Sequence, residues 1–419
     1  MDNIEAIRGT KDILPKKVIY WQYLEKTASE ILTKAAYQEI RTPIFEQTPL
    51  FERGIGEATD VVGKEMYTFT DRGDRSITLR PEGTAGVVRS YIQNKLFASG
   101  GVERLWYSGA MFRYERPQAG RQRQFHQIGL ELLGSKAARA DVEVIAIATD
   151  ILKALGLKNL SLQLNSVGSK EDRQTYRQAL LDYLTPYKDN LDSDSQDRLS
   201  RNPLRILDSK DKKTQEIAQN APSILDYLGD DSRHHFDKVC TLLSDLSIPY
   251  ELNPRLVRGL DYYTHTAFEI ISGDLGAQAT VCGGGRYDGL VSQLGGVETP
   301  AVGWAIGMER LILLLEKLQP LSPQTPDIYF VSRGEKAENY ALVIAQNLRH
   351  SGYKVELDLS GSNFLKQFKR SDRSGAKICL VLGESEVEQG MIQVKNLENS
   401  EQKTVSQDKL LEILTQLIN

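Results

Sequence analysis

The chain has 419 residues, 40% of them hydrophobic and 26% charged, with a formal net charge of −4. That is an ordinary globular composition sized for two or three domains, and it neither requires nor excludes an RNA partner, because a local basic patch is enough to grip one. Cys240, Cys282 and Cys379 lie far apart with no CxxC pair, which argues against a zinc knuckle or a disulfide framework, and no stretch approaches a membrane span, so a cytoplasmic protein with no membrane contact is expected.

Helical periodicity comes first, in "KKVIYWQYLEKTASEILTKAAY". "QEIRTPIFEQ" is then extended, with Pro43 ending any helix at Thr42. Met66 to Leu79 reads as two strands around the turn "DRGDRS", and "PEGTAGVVRSYIQNKL" as a helix. A hairpin follows over 104–134, then the helix "RADVEVIAIATDILKALGL" and the strand "LSLQLNSVG". Residues 170–245 are polar and helical in character and read as an insertion into a mixed α/β body. Strand character returns in "YELNPRLVRGLDYYTHTAFEII" and "QATVCGGGRYDGLV", and "AVGWAIGMERLILLLEKL" is a strand running into a helix. Pro320, Pro323 and Pro326 mark a linker. Beyond it strands alternate with helices, which predicts a small parallel-type sheet covered by helices and ending in the amphipathic helix "QDKLLEILTQLIN".

The chemistry gathers in five places. In the hairpin, alternation puts Met111, Arg113 and Glu115 on one face of the first strand, and Phe125, Gln127, Gly129 and Glu131 on one face of the second. Gly129 between two long polar groups leaves a gap suited to a flat or bulky ligand. The connecting loop adds Arg116, Arg121 and Arg123, whose guanidinium forks match phosphate oxygens. A solvated antiparallel face would give the same pattern. In "LVRGLDYYTHTAFEI", Arg258 precedes Asp261, Tyr262 and Tyr263, either as a buried ion pair or as a cation and two phenols around a small polar substrate. The three glycines of "VCGGGRYDGLV", read as following a strand, permit close approach to the backbone or simply make a turn, and fit neither a dinucleotide fingerprint nor a Walker A loop. Arg310 falls in the first turn of a helix starting at Gly307, where the macrodipole disfavours a cation unless an anion sits between them. In "LRPEGTAG", Glu82 at a helix start either suits the dipole or binds an ammonium. With no Ser or Cys nucleophile beside a His base, the set points to electrostatic positioning at a phosphorus or acyl phosphate.

These motifs resemble the histidyl-tRNA synthetase family of class II aminoacyl-tRNA synthetases, over essentially the whole chain. "IRGTKDILP" resembles its N-terminal signature, "YQEIRTPIFE" motif 1, "MFRYERPQAGRQRQFHQIGLE" motif 2 and "AVGWAIGMERLIL" motif 3. "LVRGLDYYTHTAFEI" and "CGGGRYDGLV" are similar to the two histidine-specific signatures.

The resemblance implies an α/β protein: a catalytic domain at 1–320 with a mostly antiparallel sheet and the 170–245 insertion, then an anticodon-binding domain at 325–419. It implies activation of L-histidine with ATP and Mg2+, transfer to tRNA(His), and a homodimer formed around Pro43. Arg113 would hold the α-phosphate, Arg121 and Arg310 the outer phosphates, and Glu115 would complete the ATP site. Arg258 would lie against the α-phosphate and the histidine carboxylate. Glu82, Thr84 and Gln127 would take the ammonium, and Glu131, Tyr262 and Tyr263 the imidazole. Arg116 and Gln118 would meet the acceptor end of the tRNA. No segment resembles an editing domain. The alternative is a regulatory subunit of ATP phosphoribosyltransferase, which shares the catalytic fold without acylating tRNA.

Overall fold

The computed structural model describes residues 3–56, 59–274 and 280–418. It falls into two compact units, Met1–Leu321 and Ser322–Asn419. Among the described residues no helix is long and apolar enough to cross a membrane.

The strands of the first unit, in chain order, are β1 (Gln38–Glu39), β2 (Phe45–Gln47), β3 (Tyr67–Thr70), β4 (Ser76–Leu79), β5 (Glu103–Phe112), β6 (Gln124–Leu133), β7 (Leu160–Ser166), β8 (Glu251–Leu252), β9 (Thr264–Ser272), β10 (Thr280–Arg286) and β11 (Ala301–Gly307). Eight of them form one sheet in the order β1-β5-β6-β11-β10-β9-β7-β8. Only the two short edge pairs, β1 with β5 and β7 with β8, are parallel. The other three make a small sheet, β2-β4-β3.

The large sheet is two-faced because its residues alternate. On β6, Ile128, Leu130 and Leu132 point into a core built with the helices Pro15–Lys34, Ala138–Ala154 and Met308–Leu318. Fully burying each such side chain contributes about 1.5–3 kcal/mol, enough to set the register, since a slip of one residue would put Gln127, Gly129 and Glu131 there instead. The first helix starts at Pro15, a position where the missing N–H costs nothing.

Several elements differ from the sequence reading in detail. β5 ends at Phe112, so Arg113 and Glu115 lie just beyond the strand, although Arg113 N–H still donates to Arg123 O across the hairpin at 2.9 Å. Arg258 to Tyr263 lie in an irregular loop between β8 and β9 rather than in a strand. The three glycines do not follow a strand: they lie inside β10, paired with β9 on one side and β11 on the other. Their two-sided pairing and lack of side chains let other groups pack directly onto the sheet.

The 170–245 region holds the helices Lys170–Leu184, Ser193–Arg201 and Lys212–Gln219, linked by 3-10 turns, and then Asp230–Asp245. This last helix buries Phe236, Val239 and Leu243 in the main core of the first unit, while the earlier helices pack around Tyr176, Leu180 and Ile206.

In the second unit β12 (Ile328–Ser332), β13 (Val355–Leu357), β14 (Ile378–Leu382), β15 (Met391–Asn396) and β16 (Gln402–Ser406) form a sheet in the order β13-β12-β14-β15-β16. The first three are parallel, as the parallel-type expectation has it, but β15 and β16 run antiparallel. The physical reason is length: five residues join β15 to β16, far too few for a crossover. In the basic run over 364–377, Arg370 is committed to Asp358 at 2.8 Å.

Candidate active site

A cavity of about 480 Å3 opens on the face of the large sheet away from the main core. Glu82, Thr84, Arg113, Glu115, Arg121, Gln127, Arg258, Tyr262, Tyr263 and Arg310 all line it. Glu131 is not part of the lining: 1% exposed, it sits behind Thr84 and Tyr287, which do line the cavity and hold it. Arg116 and Gln118 lie outside it, exposed on the β5–β6 loop. That loop is pinched into a tight turn by reciprocal backbone hydrogen bonds of 3.0 Å between Gln118 and Arg121, with Gly120 at φ +71°.

At one end of the cavity the groups are carboxyls and hydroxyls. Glu131 accepts a hydrogen bond from Thr84 Oγ1 at 2.7 Å on one oxygen and from the Tyr287 hydroxyl on the other. Burial raises its carboxyl to about 8, and the hydroxyl donors only partly oppose that. Glu82 sits two residues before the helix Thr84–Gln93 and accepts the N–H groups of Thr84 at 2.6 Å and Ala85 at 2.8 Å. It therefore does cap the helix, and burial pushes it above the usual carboxylate range against those two donors. Gln127 Oε1 is buried with no hydrogen-bond partner among the described residues, the condition of a group whose partner comes from a ligand.

At the other end the groups are cationic. Arg113 donates to Pro81 O at 2.8 Å and lies 5.4 Å from the Phe125 ring centroid. Arg121 pairs with Glu115 at 2.9 Å. Burial lowers Arg258, but Glu269 beside it and the phenols of Tyr263 and Tyr262 outweigh that and hold its guanidinium above its ordinary value. Its ion pair is with Glu269 on β9, not with Asp261, which instead accepts from Asn202 at 3.1 Å. Arg310 donates to Thr280 O. Burial pulls Arg310 below its ordinary value, and Arg121 and Arg113 nearby add to the effect. Four guanidinium groups thus share one cavity, and at Arg310 their proximity carries a cost that a polyanion would relieve.

Two glycines take part by closeness. A Cβ on Gly283 would stand 2.5 Å from Arg258 Nη2, so this strand position has to be bare for the guanidinium to lie on the sheet. A Cβ on Gly129 would stand 2.1 Å from the Tyr107 ring. The space over Gly129 is therefore filled by Tyr107 from the neighbouring strand, which corrects the expectation that it is kept open for a ligand.

A family model described as histidyl-tRNA synthetase matches residues 9–311, and one described as anticodon binding domain matches residues 327–417. The chain belongs to the histidyl-tRNA synthetase family. It is 72% identical to the histidine–tRNA ligase of Gloeothece citriformis, over all of this chain and 97% of that one. Among solved structures it superposes on apo S. aureus histidyl-tRNA synthetase with a TM-score of 0.82 and 41% identity, covering 98% of this chain and all of that one. A Bacillus halodurans protein titled as an ATP phosphoribosyltransferase regulatory subunit/histidyl-tRNA synthetase shares the fold with a TM-score of 0.65 at 22% identity, over 90% of this chain and 97% of that one.

Measured against the family motifs, several residues of this cavity escaped the sequence. Glu269, the partner of Arg258, looked like one more residue of a strand. Tyr107 and Tyr287 reach the cavity from β5 and from just beyond β10. Tyr287 stood inside a motif already singled out, whereas Tyr107 is linked to Gly129 only by strand register, Tyr107 being directly opposite it. Glu309, next to Arg310, accepts the His126 N–H with both oxygens, at 2.9 and 3.0 Å, and ties motif 3 to motif 2. Asp208 and Lys210 come to the wall from the helical insertion. Arg286, between the glycines and Tyr287, turns away from the cavity. It is 1% exposed and its guanidinium is saturated by Asp141, Asp288 and the carbonyls of Ser135 and Ala137.

Proposed function

We propose that this chain activates L-histidine with ATP to histidyl-adenylate and transfers the histidine to the 3′ end of tRNA(His). One observation carries this: a buried carboxyl, Glu131, gripped by Thr84 and Tyr287, sits behind the wall of the cavity that the guanidinium groups of Arg113, Arg121, Arg258 and Arg310 line. A site with an imidazole reader at one end and polyphosphate clamps at the other suits an amino acid and a nucleoside triphosphate held end to end.

In the first step a carboxylate oxygen of histidine attacks the α-phosphorus of ATP. The new O–P bond forms as the bond to pyrophosphate breaks. Arg258 lies between the two reacting anions and offsets their repulsion, and Arg113 holds the α-phosphate. Arg310 and Arg121 take the outer phosphates, which leave as pyrophosphate, and Glu115 completes the ATP site. Glu82, Thr84 and Gln127 receive the ammonium, Gln127 through its unpartnered oxygen. Glu131, with Tyr262 and Tyr263, reads the ring. An amino acid without ring nitrogens would forfeit the hydrogen bonds these groups make to the ring, at about 0.5–1.5 kcal/mol each. In the second step a ribose hydroxyl of the tRNA attacks the acyl carbon and AMP departs.

Mg2+ accompanies ATP in this scheme and would neutralise phosphate charge. No group of three or more His, Cys, Asp or Glu able to hold a metal is found among the described residues. Glu115 and Glu269 on the cavity wall are the carboxylates that would hold the ion, alongside the phosphate oxygens of ATP. Arg116 and Gln118, exposed at the loop turn, meet the acceptor end of the tRNA, and residues 325–419 meet the anticodon. The enzyme works in the cytoplasm as a homodimer. Exposed Ile44, Phe45 and Phe69 around Pro43, on and beside the small sheet, support that contact.

The test is ATP–pyrophosphate exchange with each amino acid in turn, for the wild type and Arg258→Ala. Exchange with histidine alone, reduced about 100- to 1,000-fold but still measurable in a folded Arg258→Ala, is expected. Exchange with a different amino acid would overturn the specificity. No exchange from a folded protein that still binds histidine would favour the regulatory-subunit reading.

A further inference from the structure

The stretch carrying Arg258, Tyr262 and Tyr263 has little to hold it from within. From Val257 to Tyr263 the one backbone–backbone hydrogen bond among the described residues is Asp261 N–H to Ile55 O. Yet this stretch presents three of the groups on which the reaction depends. Seven residues without ladder or helix bonds would sample many conformations, and fixing each costs about 1–2 kcal/mol of backbone entropy.

The restraint comes from the helical insertion. Arg173, on the helix Lys170–Leu184, donates to Tyr263 O at 2.7 Å. Asn202, at the end of Ser193–Arg201, donates to Asp261 Oδ1 at 3.1 Å. Arg205 donates to the carbonyl of Gly259, next to Arg258. These contacts hold the third, fifth and last residues of the stretch. Behind it they line a second, smaller cavity of about 200 Å3, whose wall includes the back of Arg258. The apolar packing is continuous too: Tyr176, Leu180 and Ile206 of the insertion share one buried cluster with Tyr262, Tyr263 and Tyr287. A further ion pair, Arg198 with Asp60 at 2.9 Å, ties the insertion to the catalytic body close by.

We propose that Arg173, Asn202 and Arg205 are positioning residues for histidine activation, through which the helical insertion sets the place of Arg258 and the two tyrosines. The inference rests on the proposed function above. None of the three is given a contact with substrate; they act on the carbonyls and carboxylate that fix the loop. A displacement of about 1 Å at the reacting groups costs on the order of 100-fold in rate, so loosening this loop is felt at the chemical step. The insertion is then a working wall of the active site rather than an appendage, and anything that moves it moves Arg258.

The experiment compares Arg173→Gln, Arg205→Gln and Arg173→Lys, each alone, and Arg173→Gln combined with Arg258→Ala. Histidine-dependent exchange is expected to fall about 10- to 100-fold in kcat for both Gln variants, with the KM for ATP within about twofold and partial recovery in Arg173→Lys. In the Arg258→Ala background, Arg173→Gln is expected to add little further loss, because both changes remove the same alignment. A merely structural role would instead give an additive loss. Amide hydrogen exchange supplies a readout free of activity: the Asp261 amide, the hydrogen-bonded one in the stretch, should lose protection in both Gln variants while β6 and β11 keep theirs. Unchanged kcat, or unchanged protection of the Asp261 amide, would overturn the proposal. If the wild type showed no histidine-dependent exchange, the proposed function would fall, and loop protection alone would decide whether the clamp exists.

Discussion

Glu131→Gln tests both the physics and the specificity of the site. Burial holds the Glu131 carboxyl at about 8, against 4.5 for an ordinary glutamate. Between those values the folded protein keeps a proton that the unfolded chain has released. The stability Glu131 contributes is therefore fully present below about pH 4.5 and is lost as pH rises through about 8. At about 1.4 kcal/mol per pH unit, the wild type should lose roughly 2–3 kcal/mol between pH 5 and 7 that Glu131→Gln does not. The substitution itself is tolerable, because Thr84 and Tyr287 both reach this group through hydroxyls, which can turn to accept from the new amide. Urea unfolding followed by tryptophan fluorescence isolates the right transition, since all three tryptophans, Trp21, Trp106 and Trp304, are buried in the first unit. Parallel pH profiles for wild type and variant would refute the claim that this carboxyl is neutral in the folded protein. In exchange assays the same variant should raise the KM for histidine far more than that for ATP, because Glu131 lies at the amino-acid end.

Other substitutions probe other parts of the frame. Asp141→Ala strands Arg286, which is 1% exposed, and should cost about 3–5 kcal/mol in the same unfolding assay. Burial opposes ionisation of Asp141, but His235 and Arg286 outweigh it and hold the carboxyl at about 2. The stability from this pair should thus be present above about pH 3.8 and fade as pH falls toward 2, with Asp141→Asn lacking that acid limb. Gly283→Ala puts a methyl 2.5 Å from Arg258 Nη2, so histidine-dependent exchange should drop about tenfold or more in a folded protein, and wild-type kcat would refute the fit. Pyrophosphate, titrated calorimetrically, should bind Arg310→Ala about tenfold more weakly, a loss of about 1.4 kcal/mol, and an equal Kd would remove Arg310 from the phosphate end.

Short-range pattern made much of this protein legible. The alternation on β6 separates Ile128, Leu130 and Leu132 from Gln127, Gly129 and Glu131, and period 2 alone assigns the faces. Gly307 ends a strand and starts a helix, so Arg310 had to fall in the first turn. The residues gathered around the cavity were mostly named by their motifs, whose spacing is a local property of the chain. Partners across the sheet were not legible. That Arg258 pairs with Glu269 and not Asp261, that Gly129 houses Tyr107, and that Arg286 is a buried staple are all set by strand register and by which segments close over the sheet. The glycine run is similar: its composition said that something approaches closely, but only the neighbours in space say that it is a guanidinium. The elements, the character of the two units and the chemical types at the site follow from periodicity, turn residues and side-chain chemistry, all of them local. Who touches whom, including the insertion residues that hold the Arg258 loop, depends on packing between segments tens of residues apart, which no local pattern encodes.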